Sequence, residues 1–300
     1  MNKGVKTTVI GSYPVITDNM EFMNGYFNQK NSFSWERYIQ SAVSDMVDAG
    51  IDIISDGQTR DPFVNIFFRK IKGCRIRDRP EIIDKVAFDG SITVDDQKYV
   101  KSIIPKSTEI IGLIAGPYTL AQSCVDLYYN DEKELAFDFA YALRQEAKML
   151  EDHVSMISVD EPFFSVNMPE YSKELIKIIV ENLSCPTRLH ACGDVSKIVP
   201  KLIELPVDIL SHEFKATPQL FDAFKEHSFS QGICLGSVRS DDPRVEPVEE
   251  IVEHINHGID IFGDSIAQLS PDCGLRLQTR NVAFQKLKNL VKACGEVYGG

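Results

Sequence analysis

Short apolar runs alternate with longer amphipathic stretches along most of the chain. Eight runs have the length and composition of buried strands: Val5–Ile10, Ile51–Ser55, Ile110–Ile114, Ser155–Asp160, Pro186–His190, Val207–Ser211, Gly232–Gly236 and Ile266–Ser270. The amphipathic stretches have helical spacing, at Trp35–Ala49, Leu135–His153, Glu170–Leu183, Val195–Leu205, Pro218–His227, Pro247–Ile261 and Asn281–Val297. This repeated strand–helix pattern predicts an α/β fold with a closed parallel sheet, the (β/α)8 TIM barrel.

One segment interrupts the alternation. Lys72–Lys106 is long, charged and only partly alternating, most clearly in Val86–Val94. We interpret it as an insertion after the second strand, over about residues 72–106, that forms a β-hairpin. Loops of this length inside a compact domain are usually functional or mobile. Because no Gly/Ser-rich linker divides the sequence, residues 1–300 are predicted to form a single domain.

The length and charge of the chain limit the kinds of partner that it is expected to bind. The 300 residues suit one barrel, and the formal net charge of -12 disfavours nucleic acid and anionic membrane surfaces. No apolar run reaches the roughly 18 residues of a membrane span, and none follows the first three residues as in a signal peptide. A cytoplasmic protein is therefore expected. In that reducing compartment the seven cysteines are expected to be ligands, nucleophiles or core residues rather than disulfides.

Four residues with metal-binding side chains follow predicted strands. His190 and Cys192 come after the fifth strand, Glu213 after the sixth and Cys273 after the eighth. In a parallel barrel these strand ends face one mouth, where the active site lies. Imidazole, thiolate and carboxylate can form a tetrahedral zinc site, and two thiolates favour zinc over magnesium or calcium. Each residue alone could be a core residue, but their joint placement favours a metal site.

The neighbours of these residues are assigned other roles. His212 adjoins Glu213 and points to the opposite side of an extended strand, which favours a supporting or core role. Asp194 and Asp272 either orient the candidate ligands or are solvated loop carboxylates. The cysteines without a strand-end placement are assigned to packing or to the surface, and they are Cys74, Cys124, Cys185, Cys234 and Cys294.

Five motifs in a fixed order carry a family resemblance. They are Ile10-Gly11-Ser12-Tyr13-Pro14, Gly116-Pro117-Tyr118-Thr119-Leu120, Val159-Asp160-Glu161-Pro162, His190-Ala191-Cys192 and Pro271-Asp272-Cys273-Gly274-Leu275. In this order the sequence resembles the catalytic C-terminal barrel of the cobalamin-independent methionine synthase family, in its short, single-domain form. The first and last motifs are the most specific, and together the five span nearly the whole chain.

The resemblance implies a zinc-dependent methyltransferase that methylates the thiol of homocysteine to form methionine. The family's zinc ligands fall on His190, Cys192, Glu213 and Cys273. Zinc deprotonates a coordinated thiol, and the thiolate is the nucleophile. Catalytic zinc also needs an exchangeable position. Glu213, the one hard ligand beside two thiolates, is expected to yield that position to the substrate.

The resemblance also implies how the amino acid is bound. Ile10, Gly11 and Ser12 form the motif that holds the substrate carboxylate, and Asp160 binds the ammonium. Gln58 stands where the family has a glutamate that also binds the ammonium. It keeps a hydrogen-bond acceptor but loses the charge, so the expected ammonium pocket is less negative than is usual in the family.

Folate-using members of the family carry a second, N-terminal barrel, for which 300 residues leave no room. The expected methyl donor is therefore a methylated corrinoid, either free methylcobalamin or a corrinoid protein. Alkyl transfer to another thiol such as coenzyme M, by the same zinc chemistry, is the nearest alternative. Two alternatives of other classes are a lyase similar to uroporphyrinogen decarboxylase, whose related barrel needs no metal, and a non-catalytic barrel that binds a corrinoid protein.

Overall fold

The computed structural model describes residues 4–14 and 35–299. Within these ranges most strands lie at the apolar runs of the sequence, because such runs can be buried between a barrel interior and a layer of helices. In chain order the strands are β1 (Lys6–Thr7), β2 (Ile53–Ile54), β3 (Lys72–Ile76), β4 (Pro80–Ala87), β5 (Glu109–Ala115), β6 (Val125–Asp126), β7 (Met156–Asp160), β8 (Thr187–His190), β9 (Ile209–His212), β10 (Gly232–Val238) and β11 (Ile266–Pro271).

Eight parallel strands form the barrel, in the order β1-β11-β10-β9-β8-β7-β5-β2. A parallel bridge between Thr8 and Ile53 joins the two ends of this sheet. The Thr8 hydroxyl also donates to the Ile53 carbonyl at 3.0 Å. Each of the eight strands overlaps one of the predicted runs, so the predicted (β/α)8 barrel is confirmed.

Helices cover the outside of the barrel, at Glu36–Ala49, Phe63–Phe68, Val94–Ile103, Pro117–Gln122, Glu132–Leu150, Ser172–Val180, Val199–Leu202, Gln219–Lys225, Val248–Phe262 and Arg280–Tyr298. The predicted helix Val195–Leu205 is a 3-10 turn, Ser196–Ile198, followed by one short α-helical turn. Pro200 lacks the N–H that would continue an α-helix through this point. No helix in these ranges is both long and apolar enough to cross a membrane.

The segment after β2 contains the predicted hairpin, since β3 and β4 pair in antiparallel fashion. β6 then adds to β4 in parallel. The alternating pattern over Val86–Val94 is not matched by a strand beyond Ala87, and Val94 begins the helix Val94–Ile103. The buried Glu146 carboxylate accepts the N–H groups of Ile92 and Thr93, both at 2.7 Å, just before that helix. These bonds fix a loop where the alternation alone suggests a strand.

A buried ion pair joins the last helix to the loop after β10. The Lys286 ammonium lies 2.7 Å from Glu246 Oε2, and both side chains are 0% exposed. Glu246 also accepts the N–H of Arg239 at 2.8 Å. Lys286→Met would leave the carboxylate buried without its counter-charge. We expect it to lower the free energy of unfolding by about 3–5 kcal/mol in urea denaturation.

Lys173→Met is the matched control for that variant. Lys173 Nζ lies 3.4 Å from Glu204 Oε2, in a pair whose side chains are 58% and 65% exposed. Water screens such a pair, so the expected loss is below about 0.5 kcal/mol. Equal losses in the two variants would contradict the structural role given to the buried pair.

Candidate active site

Strand register places the functional residues of neighbouring strands side by side. Asp160 at the end of β7 is the register partner of His190 on β8, and His190 is in turn the partner of Ser211 on β9. Cys192 follows β8 by two residues, and Cys273 follows β11 by two residues. The carboxyl ends of several strands therefore bring these side chains to one mouth of the barrel.

Three metal-binding side chains form a compact cluster, which we call the thiol–imidazole cluster: His190, Cys192 and Cys273. Their donor atoms all lie within 4.8 Å of one another. His190 Nε2 is 3.0 Å from Cys192 Sγ, and Cys192 Sγ is 3.0 Å from Cys273 Sγ. The second imidazole nitrogen, Nδ1, lies 3.1 Å from the Ser211 hydroxyl, which orients the ring.

The donor set suits zinc in both chemistry and spacing. Zn–S bonds of about 2.3 Å and Zn–N bonds of about 2.0–2.1 Å in a tetrahedron place donor atoms roughly 3.5–3.8 Å apart. The observed 3.0 Å separations need to open by less than about 1 Å to reach that range. The hydroxyl partner on Nδ1 leaves Nε2 facing the thiols, which is the usual arrangement of a metal-binding histidine.

The environment keeps Cys192 and His190 uncharged unless a cation lies between them. The hydrogen bond with Cys273, together with burial, raises the pKa of the Cys192 thiol well above its usual range. Burial, helped by the positive charge of Arg188, holds the pKa of His190 well below its usual range. A neutral imidazole has a free lone pair, and a bound cation favours thiolates over thiols. The cluster is therefore suited to binding a metal cation.

Glu213, the fourth predicted ligand, lies beside the cluster. It is not among the three residues whose donor atoms lie within 4.8 Å of one another. Burial raises the pKa of its carboxyl group, while hydrogen bonds from the Gly193 backbone and the Cys273 side chain oppose that rise. The structure thus brings three predicted ligands together and leaves the fourth, Glu213, outside that compact group.

Asp272 fixes the loop that carries Glu213. Its buried carboxylate accepts the N–H groups of Lys215 at 3.0 Å and Ala216 at 2.8 Å. Burial raises the pKa of this carboxyl group to about 8. Asp272 therefore ties the segment that follows β9 to the loop that carries Cys273.

His212 packs behind the cluster. Its Nδ1 lies 3.1 Å from the Ala191 carbonyl, and its ring lies among Phe214 and Phe224. Burial lowers the pKa of His212 to about 4, so the ring is neutral. Asp194, in contrast, is exposed and accepts the N–H of Ser196 at 3.0 Å.

The two carboxylates of the Asp160-Glu161 pair have different environments. Glu161 accepts the N–H groups of Tyr118 at 3.0 Å and Thr119 at 2.8 Å, and thus holds the start of the helix Pro117–Gln122. The Asp160 carboxylate accepts only the Ser158 hydroxyl among the described residues, at 2.8 Å. Burial raises the pKa of Asp160 to about 6, although the charge of Arg188 opposes the rise. Asp160 is therefore the member of the pair with an oxygen available to a ligand.

The Ile10-Gly11-Ser12 turn borders the cluster. Gly274, next to Cys273, approaches Ser12 so closely that a β-carbon there would lie 3.0 Å from the Ser12 hydroxyl. A β-carbon on Gly11, whose φ is +50°, would lie 3.5 Å from Gln58 Oε1. Gln58 is buried, with 4% exposure. The turn after β1, the loop after β2 and the loop after β11 thus meet at this side of the mouth.

Sequence reasoning missed two residues beneath the site, Arg188 and Ser158. Arg188 is fully buried in the barrel, where its Nε donates to the Ser158 hydroxyl at 3.2 Å. A signal for them exists in the sequence, because each stands two positions before a predicted site residue, His190 or Asp160. Residues two apart on a strand face the same side, so this spacing is the signal from which their place inside the barrel could have been inferred.

Comparison with known proteins places this chain in the class of TIM-barrel methyltransferases. The chain belongs to the family of cobalamin-independent synthase catalytic domains, whose family model matches residues 5–296. The family resemblance of the sequence motifs is thereby confirmed.

Archaeal proteins are similar to the chain over nearly their full length. A methionine synthase of Methanocaldococcus jannaschii is 38% identical over 306 residues, covering 96% of this chain and 97% of that protein. A methionine synthase of Methanothermobacter marburgensis is 35% identical over 309 residues, covering 97% and 99%. Both similarities therefore extend across the whole barrel.

A solved structure shares the fold. The B12-independent methionine synthase from Shewanella sp. W3-18-1, in complex with selenomethionine, superposes with a TM-score of 0.81 and 23% identity. The match covers 98% of this chain and 97% of that one. At this identity the likeness supports the barrel architecture alone.

Proposed function

We propose that the protein transfers a methyl group to the thiol of homocysteine and forms methionine. The observation that carries the proposal is the thiol–imidazole cluster, whose donor atoms lie within 4.8 Å of one another, next to a buried carboxylate on the adjacent strand. A site that methylates an amino-acid thiol needs both a group that activates sulfur and a group that binds an ammonium. The archaeal relatives are named methionine synthases, which supports methionine as the product.

We further propose that the resident metal is zinc, held by His190, Cys192, Glu213 and Cys273. When bound, zinc would hold the substrate thiol as a thiolate at neutral pH. Glu213 is the ligand that we expect to yield to the substrate, since it is the one hard donor and already lies outside the compact set of three. The neutral imidazole of His190, oriented by Ser211, would remain in place.

The chain's own polar groups would orient the amino acid. Asp160 has one oxygen available and would accept the ammonium, while Ser12 and the turn formed with Ile10 and Gly11 would receive the carboxylate. Gln58 lies against Gly11 and offers an uncharged acceptor. The ammonium would thus be held chiefly by one carboxylate, with roughly 1.5–3 kcal/mol expected from a charge-assisted hydrogen bond.

The proposed donor is a methylated corrinoid, free methylcobalamin or a corrinoid protein. The similarity to the archaeal enzymes covers 97–99% of those proteins, which leaves little of them for a second barrel. In the transfer, the carbon–cobalt bond breaks and its electron pair stays on cobalt. The sulfur lone pair forms the new bond to carbon, and the thiol proton is released.

We also propose a cytoplasmic location. All seven cysteines are free thiols in the structure. Free, partly exposed thiols such as Cys74 and Cys124 are typical of proteins in a reducing compartment.

A metal analysis and a two-by-two assay test the proposed function. The purified protein is analysed for zinc, then incubated with homocysteine or coenzyme M and with methylcobalamin or methyltetrahydrofolate. Methionine and methylated coenzyme M are both measured by mass spectrometry. We expect about one zinc per chain and methionine only with homocysteine and the corrinoid.

Each other outcome favours a specific alternative. Faster methylation of coenzyme M would replace the amino-acid substrate, and turnover with the folate would replace the donor. Protein without zinc that turns over neither thiol would favour the lyase. Zinc-loaded protein that binds the corrinoid without turnover would favour the non-catalytic barrel.

A further inference from the structure

A buried arginine lies in the barrel interior beneath the active site. Arg188 on β8 is 0% exposed. Its Nε donates to the Ser158 hydroxyl at 3.2 Å, its Nη1 to Gln268 Oε1 at 3.3 Å, and its Nη2 to the Val9 carbonyl at 3.1 Å. An arginine enclosed in a barrel is costly unless its hydrogen bonds and its charge are compensated.

Ser158 connects this guanidinium to Asp160. The Ser158 oxygen accepts from Arg188 and its hydroxyl donates to Asp160 Oδ1 at 2.8 Å. A hydroxyl has one proton and can rotate. Because the arginine N–H faces the oxygen lone pair, the proton is directed away from Arg188 and towards the carboxylate. The bonds therefore run in one direction, from Arg188 through Ser158 to Asp160.

The charges of the two ends are complementary. Arg188 has no carboxylate oxygen within 4.0 Å in the described part of the chain. The buried Asp160 carboxylate is connected to it through the Ser158 hydroxyl. The Ser158 bond uses Oδ1 of Asp160, and among the described residues no hydrogen bond uses Oδ2. One oxygen is held in place and the other can meet a ligand.

The same guanidinium reaches the other side of the proposed amino-acid pocket. The Val9 carbonyl that it binds immediately precedes the Ile10-Gly11-Ser12 turn. Gln268 stands on β11, five residues before Cys273. One side chain thus bonds to strands β7 and β11 and to the residue that precedes the turn after β1.

We propose that Arg188 is a positioning residue for amino-acid binding. Through Ser158 it orients Asp160 towards the ammonium of the substrate, and through the Val9 carbonyl it sets the turn that receives the carboxylate. This inference rests on the proposed function, in which the substrate is an amino-acid thiol. It assigns to Arg188 no contact with the substrate.

A double-mutant cycle between Ser158 and Asp160 tests the connection. The holoenzyme and the variants Ser158→Ala, Asp160→Asn and the double variant are assayed with homocysteine and with 4-mercaptobutanoate, which lacks the ammonium. We expect Ser158→Ala to raise the KM for homocysteine about tenfold, with unchanged kcat and zinc content. In the Asp160→Asn background the same change should alter KM less than about twofold. With 4-mercaptobutanoate, Ser158→Ala should have no effect.

Ser237→Ala is the matched control, since Ser237 is also a fully buried barrel-strand serine, but its hydroxyl bonds the Leu235 carbonyl. Its KM should remain at the wild-type value. Arg188→Met, with folding checked by circular dichroism, should raise the KM for homocysteine at least as much as Ser158→Ala. A wild-type KM in a folded Arg188→Met variant would overturn the inference.

The outcomes separate this inference from the proposed function. If Asp160→Asn leaves the KM for homocysteine unchanged, both the amino-acid substrate and the positioning role fail. If Asp160→Asn raises KM but Ser158→Ala does not, or if the two effects multiply, only the positioning role fails. Effects on KM that are equal with both thiols would also show that Ser158 acts on general structure.

Discussion

Cys273→Ser is expected to remove the metal and nearly all methyl transfer. Cys273 Sγ lies 3.0 Å from Cys192 Sγ and is one of the three donor atoms of the thiol–imidazole cluster. A serine hydroxyl does not ionise near neutral pH and is a poor ligand for zinc. Zinc should fall from about one per chain to below about one tenth, and activity by on the order of a thousandfold or more.

Cys294→Ser is the matched control for this experiment. Cys294 is likewise a free thiol, but it is buried in the last helix and its Sγ donates to the Val5 carbonyl at 3.7 Å. Its zinc content and activity should match the wild type. Both variants are measured by atomic emission and by methionine formation, with circular dichroism to check the fold. Full zinc occupancy in Cys273→Ser would show that the proposed ligand set is wrong.

Asp160→Asn should lower kcat/KM for homocysteine by about tenfold to a hundredfold while zinc stays bound. The asparagine keeps the size of the side chain and can still accept from Ser158, but it has no negative charge for the ammonium. A buried ammonium without a counter-charge is unfavourable by several kcal/mol. Steady-state kinetics with a parallel zinc measurement checks the prediction.

Gln58→Glu is the complementary variant. Gln58 lies against Gly11, where the family has a carboxylate, and the change adds a charge with almost no change in volume. We expect it to lower the KM for homocysteine and to weaken any reaction with coenzyme M, whose sulfonate is repelled. An unchanged KM in both Asp160→Asn and Gln58→Glu would exclude an ammonium pocket at this side of the mouth.

Much of the barrel could be predicted because its signals are local. Each parallel strand is buried on both sides and therefore appears in the sequence as a continuous apolar run. Each helix appears as apolar residues at helical spacing, which form one face of the helix. The strand ends then followed from the fold rule that parallel strands present their carboxyl ends to one mouth. This is why His190, Cys192 and Cys273 could be grouped although they are up to 83 positions apart.

The segment after β2 shows where local patterns fail. Val86–Val94 alternates like a strand, but Glu146, more than 50 positions away, binds the backbone before Val94 and a helix begins there. The third strand of the small sheet, β6, has two residues and no sequence signal of its own. It forms because β4 offers an edge with which it can pair.

The sequence by itself determined the fold class, the family and the residue types at the mouth, because these depend on periodicity and on motifs in order. Only the tertiary structure decided which atoms meet. It separates Glu213 from the compact donor set, and it leaves one oxygen of Asp160 available while Glu161 binds the start of a helix. It also sets the hydrogen bonds from Arg188 to Ser158 and Val9. The physical reason is that hydrogen bonds are specified within tenths of an ångström, and the register and packing of distant strands set those positions.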